Sequence, residues 1–133
     1  MCIKVRRRDV EYGAGMSSPK PIAAETAAAV SLTDALPVGP ASIVSQTVLQ
    51  SPEAKVTLFA FAQGQELTTH TNRRRAFVQV LSGTGDFFYN DAWHRHASGT
   101  WLHFPPEHPH AVRATEAFTM LLTLCAEPPP AQA

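Results

Sequence analysis

His70 and His110 are the residues whose types and setting offer the most chemistry. His70 stands in GQELTTHTNRRRAFVQVLSG and His110 in GTWLHFPPEHPHAVRA. A neutral imidazole is both a ligand for first-row divalent metals and an acid–base group near neutrality. Asn72 follows His70 by two positions, so on an extended strand the two share a face. Its amide oxygen is a poor donor to a transition metal, though it can hold a bound water. Two histidines alone bind a metal weakly, and a third would repair the deficit. His94 and His96 share one face of a strand that follows a hairpin turn, with His96 the candidate third ligand. His103 is a further candidate, and His108 is expected to be exposed in the turn before His110. The alternative is that all of these are neutral, hydrogen-bonded histidines in a partly polar pocket.

Other chemistries are missing from the chain. There is no GxSxG nucleophile motif and no P-loop, and no carboxylate neighbours the two histidines as an evident acid–base partner. Arg73 and Arg75 follow His70 closely, and a guanidinium pairs bidentately with a carboxylate or phosphate. Strand alternation prevents all of Arg73, Arg74 and Arg75 from facing one way. Glu107 is expected to face solvent from its turn.

These residues need a scaffold, and 133 residues suffice for one domain with a single core. Eleven basic and eleven acidic residues balance, but six of the basic ones form the triplets Arg6–Arg8 and Arg73–Arg75. Neither triplet has an aromatic platform beside it, so no nucleic-acid partner is expected. The cysteines are Cys2 and Cys125, with no metal-type spacing and no disulfide framework, which fits reduced thiols in a cytoplasmic protein. No apolar run is long enough for a transmembrane helix, so no membrane partner is expected. The basic N-terminus lacks the apolar stretch of a secretory signal.

Residues 1–18 read as a disordered extension, 19–126 as the folded domain and 127–133 as a disordered proline-rich tail. Residues 23–30 have helix propensity, but at most for a turn or two before the Pro-Gly-Pro segment. From residue 41 the texture is that of strands: 43–49, 56–61, 77–81, 86–89, 93–96, 101–104, 111–113 and 118–124. Asn90-Asp91 reads as a hairpin turn, and the double proline at 105–106 must end a strand because neither residue donates a backbone N–H. About eight short strands punctuated by glycine and proline predict an all-β sandwich or barrel. Phe59, Phe61, Phe77, Phe87, Trp101, Phe104 and Phe118 are expected in the core or at a subunit interface, and Tyr89 and Trp93 beside the hairpin turn at an exposed edge. Several strands are apolar on both faces, which asks for a cover over the outer face.

Two stretches carry a family resemblance. Gly64, His70, Asn72, Ala76 and Gly83 reproduce the spacing of the first cupin motif. Gly99, Pro105, Glu107, His110 and Ala114 reproduce that of the second. Over residues 32–125 the chain resembles the cupin superfamily, and within it the small single-domain bacterial cupins of the cupin type-2 group. The resemblance implies an all-β cupin (RmlC-like) jelly-roll β-barrel, a homodimer, and a small-molecule pocket inside the barrel. That pocket would be lined by His70, Asn72, Ala76, Val78, His96, His110 and Val112, with Arg73 and Arg75 as contacts to an anionic group. Metal-binding cupins use two histidines and a glutamate from the first motif and one histidine from the second. Here those positions hold His70, Asn72, Ala76 and His110, so two ligands remain. Relatives with a degenerate first motif lack the same two ligands. The triple arginine departs from that subgroup, and His96 stands where the family usually has a buried leucine. The resemblance implies either a metal-dependent enzyme of oxygenase or isomerase type, using iron, manganese, nickel or zinc, or a non-catalytic binding or sensing module without metal.

Overall fold

The computed structural model describes residues 21–33 and 41–127. The expected N-terminal extension (1–18) lies outside the described residues, and so does the tail apart from its first residue, Glu127. Among the described residues there is no helix. Residues 24–26 make only a turn and a bend, so the helical turn expected near 23–30 does not form. Ile22 instead donates its N–H to Val48 O at 2.7 Å, in an isolated parallel bridge with Leu49.

Nine strands follow: β1 (Ile43–Gln50), β2 (Ala54–Phe61), β3 (Glu66–His70), β4 (Arg75–Ser82), β5 (Thr84–Tyr89), β6 (Ala92–Ala97), β7 (Trp101–Phe104), β8 (His110–Arg113) and β9 (Phe118–Cys125). They form two antiparallel sheets, a five-stranded one ordered β1-β2-β9-β4-β7 and a four-stranded one ordered β3-β8-β5-β6. This is the jelly-roll arrangement that the sequence predicts, with β3 as an added strand. Glu66, Thr68 and Thr69 hide it, because Leu67 is its one buried apolar position.

The alternation along β9 shows how the sequence builds the sandwich. Phe118, Met120, Leu122 and Leu124 are buried between the sheets, and Thr119, Leu121, Thr123 and Cys125 lie half-buried on the outer side. Phe118 stacks on Phe61 at 4.7 Å between ring centroids and meets Phe87 edge-on at 6.0 Å. Phe59, Phe61, Phe87, Phe104 and Phe118 all belong to this core. Trp101 does not. It is 62% exposed on the outer side of β7, stacked against the half-buried Phe77. Tyr89 is half-buried against the core and not exposed as its hairpin position suggests, whereas Trp93 is indeed exposed.

The β5–β6 hairpin turns at Asn90 and Asp91, both with positive φ (51° and 64°), as a tight turn between right-twisted strands requires. Behind it, Asp86 is buried and receives Arg95 Nε at 3.0 Å and Arg113 Nε at 3.4 Å, which ties β6 and β8 to β5. The Arg95 hydrogen bond holds the Asp86 carboxyl below its usual range, against the cost of its burial and with help from Arg113.

The two sheets meet closely at Gly85. A Cβ there would lie 2.7 Å from two ring carbons of Phe118, whose ring is locked between Phe61 and Phe87. Gly85→Ala is therefore expected to lower stability by about 1–3 kcal/mol in urea unfolding. Adding Phe118→Leu should make the pair of changes cost less than the sum of the two single ones.

Candidate functional site

His70 is the last residue of β3 and His110 the first of β8, and the two are direct partners across the antiparallel ladder. The double proline ends β7 at Phe104, and the turn through Pro105 and Pro106 brings the chain back at His110. A register shift between Leu67 and His70 offsets the ladder just before the pair. The two imidazole rings lie 4.4 Å apart, edge to face at 66°.

Each imidazole is oriented by a backbone carbonyl two residues upstream. His70 Nδ1 donates to Thr68 O and His110 Nδ1 to His108 O, both at 2.8 Å. A carbonyl can only accept, so Nδ1 carries a proton in both rings, and in the neutral imidazole the lone pair is on Nε2. Burial pushes the His110 imidazole down to about 4. The His108 carbonyl pulls it back up, and the neighbouring charges of His70 and His108 push it further down. His110 is therefore neutral at neutral pH.

Asn72 completes the site from the loop between β3 and β4. It is buried, at 6% exposure. Its Oδ1 accepts the Arg74 N–H at 2.9 Å, and its backbone carbonyl accepts the Glu107 N–H at 2.7 Å. The second bond fastens this loop to the turn that delivers His110. Glu107 reaches it with a left-handed backbone, φ 64°, at the position where the family motif carries glycine. Because Oδ1 is engaged, Asn72 presents its NH2 group. With one Oδ1 lone pair taken by the Arg74 N–H, the NH2 group is the part of Asn72 that lacks a partner.

Two buried side-chain atoms among the described residues have no hydrogen-bond partner: His70 Nε2 and Asn72 Nδ2. One is an acceptor and the other a donor, in the same corner of the fold. Buried polar groups are nearly always paired, so these two call for a partner that the protein itself does not supply.

The remaining expected residues are placed as follows. Ala76, Val78 and Val112 are buried members of the hydrophobic core. Arg75 lies on the outer side of β4, where it pairs with Glu127 at 2.6 Å and donates to His103 Nε2 at 2.8 Å. Arg73 is exposed, Arg74 half-buried. His108 is half-buried, not exposed, and Glu107 is exposed as expected. His96 does sit on the inward side of β6, half-buried, but it bonds the Tyr89 hydroxyl through Nε2 at 2.8 Å. Tyr89 packs on Phe104 at 5.5 Å and Phe104 stacks on His110 at 4.4 Å, so two rings stand between His96 and the histidine pair. Among the described residues no three His, Cys, Asp or Glu side chains converge as a metal site. Sequence reasoning overlooked Tyr89 and Phe104 here, since inward aromatics in a β-protein are ordinarily core.

Comparison with known proteins gives a consistent picture. Residues 57–125 match the family model described as the cupin domain. A conserved protein of unknown function from Streptococcus pyogenes is 30% identical, with 86% of this chain and 99% of that one aligned and a TM-score of 0.72. An RmlC-like cupin from Desulfovibrio desulfuricans is 29% identical over 75% of this chain and 97% of its own, TM-score 0.68. A putative mannose-6-phosphate isomerase from Ralstonia eutropha shares the fold at 22% identity, over 76% of this chain and all of its own, TM-score 0.66. No functionally curated protein matches the sequence.

The setting of His110 predicts a pH dependence of stability. The unfolded chain takes up this proton near 6.5, whereas the folded chain resists it until about 4. Stability from this group is complete above pH 6.5 and falls through that window as the pH drops, by about 3 kcal/mol. The Asp86 contribution is lost only at lower pH, because its carboxyl is held below 3.8. Urea unfolding of chelator-treated protein at stepped pH should show the fall, and His110→Gln should flatten it.

Proposed function

The chain belongs to the cupin domain family, and from that premise we propose that it binds a small oxygen-bearing organic molecule at His70, Asn72 and His110, as a metal-dependent enzyme of oxygenase or isomerase type. The observation that carries this reading is the buried, unpartnered pair of His70 Nε2 and Asn72 Nδ2. The two Nε2 lone pairs suit iron, manganese, nickel or zinc as nitrogen ligands, and each ring already has the backbone acceptor on Nδ1 that metal-bound histidines commonly have. Such a metal, when bound, polarises a substrate carbonyl or hydroxyl. The ligand set stops at two, because Ala76 offers no donor where the family motif has its glutamate. The chain's own part is to orient. The imidazoles are held in one tautomer, the Asn72 NH2 donates to the ligand oxygen, and the Phe104 ring covers one face of His110 against water.

A second reading has its own support. With no third ligand among the described residues, the site also suits a metal-free binding or sensing module. In that reading a hydroxyl or N–H of the ligand donates to the imidazoles, and a ligand oxygen accepts from Asn72.

A homodimer belongs to the same proposal. Val44, Val48, Leu81 and Leu121 make an apolar outer side on the five-stranded sheet, around the buried Leu58 and Ala60, of the kind a second chain covers. Sedimentation should give the mass of two chains, and Leu121→Arg should shift it to one.

Metal analysis by mass spectrometry on untagged protein tests the main reading. About one equivalent of a single metal is expected in the parent, and none in His70→Ala/His110→Ala. No metal in either, after incubation with iron, manganese, nickel and zinc, would leave the metal-free module. In either case Asn72→Leu should weaken ligand binding about tenfold, the worth of one buried hydrogen bond.

A further inference from the structure

The open atoms of the histidine site form a definite pattern of donors and acceptors. In a neutral imidazole whose Nδ1 donates to a backbone carbonyl, Nε2 can only accept. That holds for His70 through Thr68 O and for His110 through His108 O, both at 2.8 Å. Asn72 Oδ1 takes the Arg74 N–H at 2.9 Å, which leaves the buried Asn72 NH2 group without a partner. The site therefore offers two acceptors, on rings 4.4 Å apart, and one donor. The neighbouring arginines add no donor to this set. Arg75 pairs with Glu127 on the outer side of β4, Arg73 is exposed, and Arg74 meets Asn72 through its backbone N–H and not its guanidinium.

We propose that the ligand group this site takes is a primary carboxamide, whose NH2 group donates to His70 Nε2 and His110 Nε2 and whose carbonyl accepts from the Asn72 NH2. The inference rests on the metal-free reading of the site and narrows its ligand to one chemical class. It follows from what each kind of group can satisfy. A carboxamide has two N–H donors and a carbonyl acceptor, which answers all three open groups. An alcohol has one donor and leaves one imidazole unmet. A ketone or ester has no donor. A carboxylate has none either, and it brings a negative charge against two lone pairs. An ammonium group has donors but nothing to accept from Asn72. A site built on buried polar groups rejects such mismatches strongly, because the poorer ligand forfeits a bond and also strands a buried group of the protein. Water carries the same donors and acceptors as the carboxamide, and is the competitor that the test has to exclude.

The test is titration of the chelator-treated full chain with propionamide, propanol and propionate at about pH 8, where an imidazole is neutral. Backbone amide and imidazole nitrogen NMR shifts follow the binding. Propionamide should give saturable shifts at residues 70, 72 and 110, with a dissociation constant of about 5 mM, the scale of so small a ligand. Propanol, with one hydrogen bond fewer, should bind at least about fivefold more weakly. Propionate should not saturate up to about 100 mM. Asn72→Asp keeps an oxygen for the Arg74 N–H and removes the donor, so it should weaken propionamide at least about tenfold. Asn72→Leu serves the same purpose where the aspartate variant does not fold. Propanol or propionate binding as tightly as propionamide would overturn the carboxamide assignment and leave the metal-free module standing. No saturation by propionamide up to about 100 mM, or shifts centred away from residues 70, 72 and 110, would overturn it as well. The metal-free reading fails on a separate measurement, about one equivalent of metal in untreated protein, so the two failures are distinguishable.

Discussion

The Phe118 ring lies where a side chain on Gly85 would have to go, and this contact between the sheets constrains the strands that carry the histidines. Phe118 is stacked on Phe61 within its own sheet and presses on the glycine of β5 in the other. From β5 the placement passes along hydrogen-bonded ladders. Phe87 pairs with Val112 on β8, and β8 pairs with β3 at His110 and His70. A polar site of two imidazoles and an amide thus takes its geometry from an apolar contact at the far end of the same strands. Packing in protein interiors is dense enough to transmit such placement, because a displaced ring has nowhere to go.

Within the site, polar groups are divided between short-range bonds and open valences. Thr68, His108 and Arg74 each satisfy one side of a site residue from within two positions in the chain. Those local bonds use up the Nδ1 protons and the Asn72 oxygen, and so decide which atoms remain. A flipped amide or the other imidazole tautomer would offer different chemistry from the same three side chains. The outer side of the four-stranded sheet is the contrast. There Asp86, Arg95, Arg113 and Trp93 are closed on one another, with Arg113 4.0 Å above the Trp93 ring.

Much of the fold was legible in the sequence because its signals are local. Alternation along Phe118–Cys125, the Asn-Asp turn and the Pro-Pro stop each act within a few residues. The meeting of His70 and His110 was legible through motif spacing, which encodes a register that no local rule supplies. What was not legible depends on side-chain direction. Arg75 precedes the buried Ala76, so its outward turn follows from strand alternation once β4 is known to begin there. Asn72 lies in a loop, where alternation does not apply, and only the Arg74 N–H reveals which end of its amide faces inward. His96 keeps the inward direction that alternation gives it. Its separation from the pair comes from Tyr89 and Phe104, whose ring-on-ring order across two sheets has no sequence signature.

Phe104 gives the molecule a property that concerns its descendants. The Phe104 ring stacks flat on His110 and meets Tyr89 edge-on, so it stands between the imidazole pair and the Tyr89–His96 hydrogen bond. Trimming that ring to an aliphatic side chain would take one mutational step and would remove what separates the two groups. A fold that hosts many activities gains in this way a route to a new specificity that leaves both sets of polar groups in place.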